Sequence, residues 1–308
     1  MAFSATEASL AGFRLVRRRP WSIFIWTVLW VVFAYGPLAA LLAARWPEFA
    51  QQLDGLQSPE RDPKALLEQV MRLELSVFTL LGPWLLWIWV LGTIVYAAVY
   101  RAVLEPKNRG FAYLRVGGDE VRLFLLQIIF IVFWVAFASI MTGAGVGVFV
   151  AARALQSPWE GVADGLGVIV LVCLGLYVTL RLALAAPMTF AEKQLRIFDS
   201  WGLTRGQTLN VLAMLLLVFA FVMAIAMIAG MFRNAVMYGV LGRTMPTMAM
   251  SGHFNLRTLV PADLLAAAGP VLVGFVIVQG LIDTLLRVIA AAPLAAAYRD
   301  LSASETHP

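Results

Sequence analysis

Cysteine, histidine and charge are all scarce in this chain. Its 308 residues include one cysteine, Cys173. A single thiol cannot close an internal disulfide, and it excludes a metal site built from several cysteines. The two histidines, His253 and His307, cannot form the HExxH pattern of zinc hydrolases. Walker loops and GxSxG nucleophile elbows are absent too. No catalytic residue is assigned, and neither a metal nor any other cofactor is expected. Charged residues make up 13% of the chain, against about 25% in soluble domains.

Apolar residues fill the space that charge leaves. They reach 61%, and the mean hydropathy is +0.85. They fall in runs long enough to cross a hydrocarbon core about 30 Å thick. The runs are Trp21–Ala44, Val77–Tyr100, Leu123–Ala151, Leu166–Ala186, Leu209–Met231 and Leu264–Ala292. A spanning segment must satisfy its backbone hydrogen bonds internally, and alternating strands of about 10 residues are missing, so each run is read as a helix. The first follows Arg17, Arg18 and Arg19. It is too long for the apolar core of a signal peptide and is read as a retained span. Cys173 falls mid-span and is read as a small buried hydrophobe.

Lysine and arginine counts predict the orientation. The N-terminal segment, the second and fourth loops and the C-terminal end together carry 15, and the other three loops carry 8. The positive-inside rule then puts both termini in the cytoplasm. The net charge of +5 follows from this clustering beside apolar spans and is not read as a nucleic-acid signal. The first loop contains a predicted surface helix, Pro63–Ser76, with Leu66, Leu67, Val70 and Leu73 at helical spacing.

A repeat underlies these spans. Three pairs of apolar runs close on an arginine and a nearby proline: Arg101 to Pro106, Arg181 to Pro187 and Arg287 to Pro293. Each pair follows a 12-residue junction: Phe13–Phe24, Tyr113–Phe124 and Trp201–Leu212. The junctions start with an aromatic residue and carry Val16, Val116 or Thr204 at the fourth position. The expected fold is an all-α integral membrane bundle of six transmembrane helices over residues 1–308. It is built as three tandem elbow-helix-plus-hairpin repeats, about 1–106, 107–187 and 188–293, with a cytoplasmic tail, 294–308. In Glu192–Trp201, Leu195, Phe198 and Trp201 recur every three positions, which predicts an amphipathic elbow at the membrane surface.

Ionisable residues inside apolar spans are costly and are the default functional candidates. Arg101 with Glu105, and Asp283 with Arg287, have the i,i+4 spacing of an ion pair. Arg181 lacks such a partner in its own helix. Each arginine lies near the cytoplasmic end of its span, where it can snorkel to the headgroups. A pseudo-threefold arrangement of Arg101, Arg181 and Arg287 would instead form a basic pocket for anionic phospholipid headgroups. Gly143–Gly147 and Gly161–Gly165 are GxxxG pairs, the pattern of close helix packing. Met237 to Met250 in the fifth loop could suit Cu(I), but irregular spacing favours packing.

The stretch Arg181-Leu-Ala-Leu-Ala-Ala-Pro187, then Glu192, then Ser200-Trp201-Gly202-Leu203-Thr204-Arg205-Gly206 resembles the signature of YciC-like bacterial inner-membrane proteins. Relatives of that family include the membrane domain of some glycerophosphodiester phosphodiesterases. The resemblance implies a multi-pass protein of the bacterial plasma membrane, with no phosphodiesterase barrel. The leading expectation is a non-enzymatic protein that binds lipid or a partner and affects envelope organisation. A transporter or channel is the alternative, and an intramembrane enzyme the third reading. Membrane lipids are the expected partners, with a second copy or another membrane protein also open.

Overall fold

The computed structural model describes residues 3–55, 63–107, 110–154, 160–244 and 261–305. They form helices α1 Ala5–Ser9, α2 Ala11–Arg18, α3 Pro20–Trp30, α4 Gly36–Gly55, α5 Pro63–Leu104, α6 Gly118–Ala154, α7 Glu160–Leu182, α8 Ala185–Glu192, α9 Ser200–Leu203, α10 Thr208–Thr244 and α11 Pro261–Glu305. A π-helical turn, Val31–Tyr35, joins α3 to α4, and a 3₁₀ turn, Phe111–Tyr113, precedes α6. No strand occurs among the described residues. Six helical stretches are long and apolar enough to cross a membrane. Only 11% to 28% of their most apolar windows is buried within the protein. Most of each apolar face is therefore left outward, which suits lipid and not water. The chain is a multi-pass, all-helical membrane protein.

Several boundaries differ from those read in the sequence. The surface helix expected at Pro63–Ser76 is continuous with the second span in α5, because no glycine or proline separates the two periodic segments. The sixth span does not stop before Pro293. It continues as α11 to Glu305, with Ala295, Ala296, Ala297 and Leu301 buried. A run of alanines around the proline lets this stretch pack closely. Cys173 is not the buried hydrophobe expected but sits on an exposed helix face, where a small apolar thiol can meet lipid. The methionine-rich stretch is split. Met237 belongs to α10, while Met245, Met248, Met250 and His253 lie outside the described residues.

The chain divides into two compact units. One comprises residues 1–15, 96–219 and 289–308, and the other 16–95 and 220–288. In the first, α6 and α7 approach closely at Gly145 and Gly167, and not at the GxxxG residues Gly143, Gly147 and Gly165, where an added Cβ would meet nothing within 4 Å. A Cβ on Gly167 would sit 3.0 Å from Val148 Cγ1, and one on Gly145 would sit 3.4 Å from Leu171 Cδ1. In the second, Trp30, Ala34, Leu91 and Val95 form a buried cluster. The π-turn has a local cause there. Pro37 has no N–H to give the carbonyl four residues back, on Phe33. Trp87 Nε1 donates to that carbonyl at 2.6 Å, and Trp84 Nε1 donates to the Ala34 carbonyl at 2.7 Å. Gly280 lets α11 approach the same turn, because an added Cβ would run into Val31 Cγ2.

Burial recurs at fixed offsets from the junction starts. Eleventh positions Ile23, Leu123 and Val211 are all buried, as are fourteenth positions Trp26, Leu126 and Met214. The residue after each span-ending arginine is buried as well, namely Ala102, Leu182 and Val288.

Candidate functional site

Arg101 ends the span in α5 and is 2% exposed. Its Nη1 donates to the Tyr113 carbonyl at 2.6 Å, and its Nη2 to Glu120 Oε1 at 2.7 Å. Asp119 Oδ2 lies 3.7 Å away. The other Glu120 oxygen accepts the Gly117 N–H at 3.0 Å, and Asp119 pairs with Arg122 at 2.6 Å. Two arginines thus face two carboxylates in a nearly balanced cluster. The i,i+4 spacing points to Glu105; the structure adds Glu120 at 2.7 Å and Asp119 at 3.7 Å as carboxylates facing Arg101. Glu105 lies one residue past the end of α5. In the first turn of α6 the Gly117 amide orients Glu120 and Arg122 holds Asp119, and negative charge is favoured at that helix N-terminus.

Arg181 occupies a contrasting site. It sits at the end of α7, half-buried, with its guanidinium 5.1 Å from the Tyr177 ring centre and 5.6 Å from that of Trp201. The two rings meet edge to face at 5.5 Å. Arg181 Nη1 donates to the Trp201 carbonyl and to Thr204 Oγ1, each at 3.3 Å, which is long for a hydrogen bond. Arg181 Nε is buried with no hydrogen-bond partner. No carboxylate pairs with this arginine among the described residues. Ser200 Oγ donates to the Arg181 carbonyl at 2.8 Å, which ties the helix end to the elbow.

Asp283 and Arg287 lie in α11, in the other unit. Asp283 Oδ2 accepts from the Tyr35 hydroxyl at 2.5 Å, and Oδ1 from Gln279 Nε2 at 3.0 Å. Arg287 Nη1 donates to the Asp283 backbone carbonyl at 2.8 Å, and its guanidinium lies 3.5 Å from the Trp30 ring centre. Gln279 Oε1 is buried without a donor. The π-turn, whose last residue is Tyr35, borders this cluster. Such turns often mark functional positions.

The elbow before α10 is not the single amphipathic helix that the spacing predicts. α8 stops at Glu192, because Lys193 takes a left-handed backbone conformation (φ 56°). Residues 193–199 are irregular, and α9 is one turn long. Leu195, Phe198 and Trp201 are exposed all the same, at 44%, 63% and 37%. Thr204 is wholly buried.

No model of a known protein family matches this chain. Neither a curated protein nor a solved structure matches it. The motif from Arg181 to Gly206 therefore rests on its own geometry. Ser200, Trp201 and Thr204 all bond Arg181, and Gly206 makes the turn into α10 at φ 83°, a conformation that favours glycine. Glu192 pairs with Arg196 at 2.8 Å and accepts from the Tyr298 hydroxyl at 3.2 Å.

Arg101 and Arg181 share no partner, and each has its own aromatic neighbours, Phe190 lying 5.4 Å from Arg101. Sequence reasoning missed Glu120, Asp119, Tyr177, Tyr35 and Gln279. Tyr177 and Gln279 were within reach of it, since each lies one helical turn before a residue it meets. Glu120 and Tyr35 meet their partners across 19 and 248 positions, and no helical spacing reports such contacts.

Proposed function

We propose that this chain is a non-enzymatic protein of the bacterial plasma membrane, the location its YciC-like signature suggests, and that it binds anionic lipid in the cytoplasmic leaflet. In this reading the six spans form three elbow-plus-hairpin units with both termini in the cytoplasm. The elbows lie in the headgroup layer, and Arg181, which has no internal carboxylate among the described residues, is the span-ending arginine that faces it. The supporting observation is the elbow surface. Phe111, Phe198 and Leu209 are 76%, 63% and 79% exposed, and the cations Arg115, Arg196 and Arg205 lie within four residues of them in the sequence. Exposed apolar side chains interleaved with basic residues suit the membrane interface, where apolar bodies sink and charges reach headgroups. A bound lipid or membrane partner would then influence envelope organisation.

Native mass spectrometry tests this. Protein released gently from nanodiscs of mixed anionic and zwitterionic phospholipid should retain the anionic species in excess over its share of the bilayer. Retention in proportion to bilayer composition would overturn the reading.

Transport is the second reading, favoured by the polar cluster of Asp283, Tyr35 and Gln279 inside the spans. A solute or proton flux in proteoliposomes that Asp283→Asn abolishes would establish it in place of the first.

A further inference from the structure

We infer that Arg181 grips the phosphate of an anionic phospholipid, which supplies the negative charge that Asp119 and Glu120 supply to Arg101. The inference rests on the lipid-binding reading above and names its site.

Arg101 and Arg181 stand in the same register. Each donates from Nη1 to the carbonyl of the first junction residue, Tyr113 or Trp201. From those starting points the buried positions coincide, Leu123 with Val211 and Leu126 with Met214. In the same count, Asp119 falls on Gln207 and Glu120 on Thr208. Both acids are thus replaced by neutral residues. Gln207 Oε1 is occupied by Asn210 Nδ2 at 2.7 Å, and Thr208 Oγ1 donates to the Thr204 carbonyl at 3.3 Å. Neither supplies a counter-charge.

The consequences are visible at Arg181. Arg101 has short bonds of 2.6 and 2.7 Å and is closed off, whereas Arg181 has two contacts of 3.3 Å and a buried Nε without an acceptor. An unpaired buried donor beside a cation costs free energy that an external acceptor would recover. The planar fork of arginine matches phosphate oxygens with two parallel bonds. Helix α10 starts at Thr208, and its positive end favours an anion there. The bracketing rings of Tyr177 and Trp201 are of the type enriched at the lipid interface. With no carboxylate at the arginine to receive an ammonium headgroup, the site prefers a phospholipid of net negative charge.

The test uses the full chain in nanodiscs of mixed anionic and zwitterionic phospholipid, released into mild detergent for native mass spectrometry. Arg181→Gln should lower anionic lipid occupancy roughly tenfold, as loss of one charge-assisted contact would. Thr208→Glu should do the same while keeping the wild-type melting temperature, because it restores the internal carboxylate of the Arg101 site. Arg72→Gln, an exposed position on α5, should leave occupancy unchanged. If wild type enriches anionic lipid and a folded Thr208→Glu variant retains as much, the site is wrong and the broader reading stands. If wild type enriches none, both fail. Inorganic phosphate is the remaining arm. A rise in wild-type melting temperature with phosphate, absent in Thr208→Glu and with no lipid retained, would overturn the lipid assignment in favour of a free anion.

Discussion

Arg101 and Glu120 meet at 2.7 Å with both side chains almost fully withdrawn from the surface. Removing one partner from such a pair leaves a charge buried without compensation, at a cost of about 3–5 kcal/mol. Asp119 at 3.7 Å softens the loss, so Glu120→Gln should fall near the lower end of that range. Arg181→Gln removes a cation that has no carboxylate and should cost less, about 1 kcal/mol, the value of an ordinary hydrogen bond. Unfolding of both variants in one detergent measures the contrast. Equal destabilisation would mean that the two arginines do the same structural work.

Tyr35 and Asp283 provide a second, partly buried contact, at 2.5 Å. Tyr35→Phe deletes the donor and leaves the ring. A hydrogen bond to a charged group contributes about 1.5–3 kcal/mol. In Asp283→Asn the acceptor is neutral, so the same tyrosine change should cost clearly less. A double-mutant cycle isolates the coupling, expected at about 1 kcal/mol or more. Additive effects would show that the hydroxyl is satisfied elsewhere.

Much of the scaffold was legible in the sequence. Runs of 20 or more apolar residues have few structural alternatives, and all six appear as helices. Trp26, Leu126 and Met214 are buried at the same offset from the three junction starts, a regularity that the proposed repeat would account for. Helix ends were less so. Pro293 looks like a terminator by its own chemistry, yet packing of the surrounding alanines carries α11 through it. The spacing of Leu195, Phe198 and Trp201 suggested one helix, but the left-handed backbone at Lys193 breaks it, and the three residues are exposed from irregular chain and a single turn. Arginine positions were evident, but their partners were not. Local spacing offers Glu105 to Arg101 and gives no hint of Glu120, which meets it at 2.7 Å from the first turn of the next long helix.

Gly280 marks a close approach that a methyl group would block. Its Cβ would collide with Val31 Cγ2, a branched side chain with little freedom to move. Overpacking of this kind costs about 1–3 kcal/mol, so Gly280→Ala should lower the melting temperature. Val31→Ala, a neutral or mildly destabilising change alone, should recover most of the loss in the double variant. Failure of that rescue would place the strain elsewhere on α11.

Pro37 and Trp87 make the last test, because the tryptophan compensates for what the proline lacks. The Phe33 carbonyl has no N–H four residues on, and Trp87 Nε1 supplies one at 2.6 Å. Trp87 is 43% exposed, and in a span that exposure is to lipid, where water cannot substitute. Trp87→Phe keeps the apolar ring and removes the donor. Leaving the carbonyl unpaired should cost about 1–3 kcal/mol. In a Pro37→Ala background, residue 37 regains an N–H and the turn can revert to an α-helix, so the same tryptophan change should cost less than half as much. Thermal unfolding of the four proteins in nanodiscs gives the cycle. If Trp87→Phe costs the same with and without the proline, the indole serves only as packing and the π-turn has another origin.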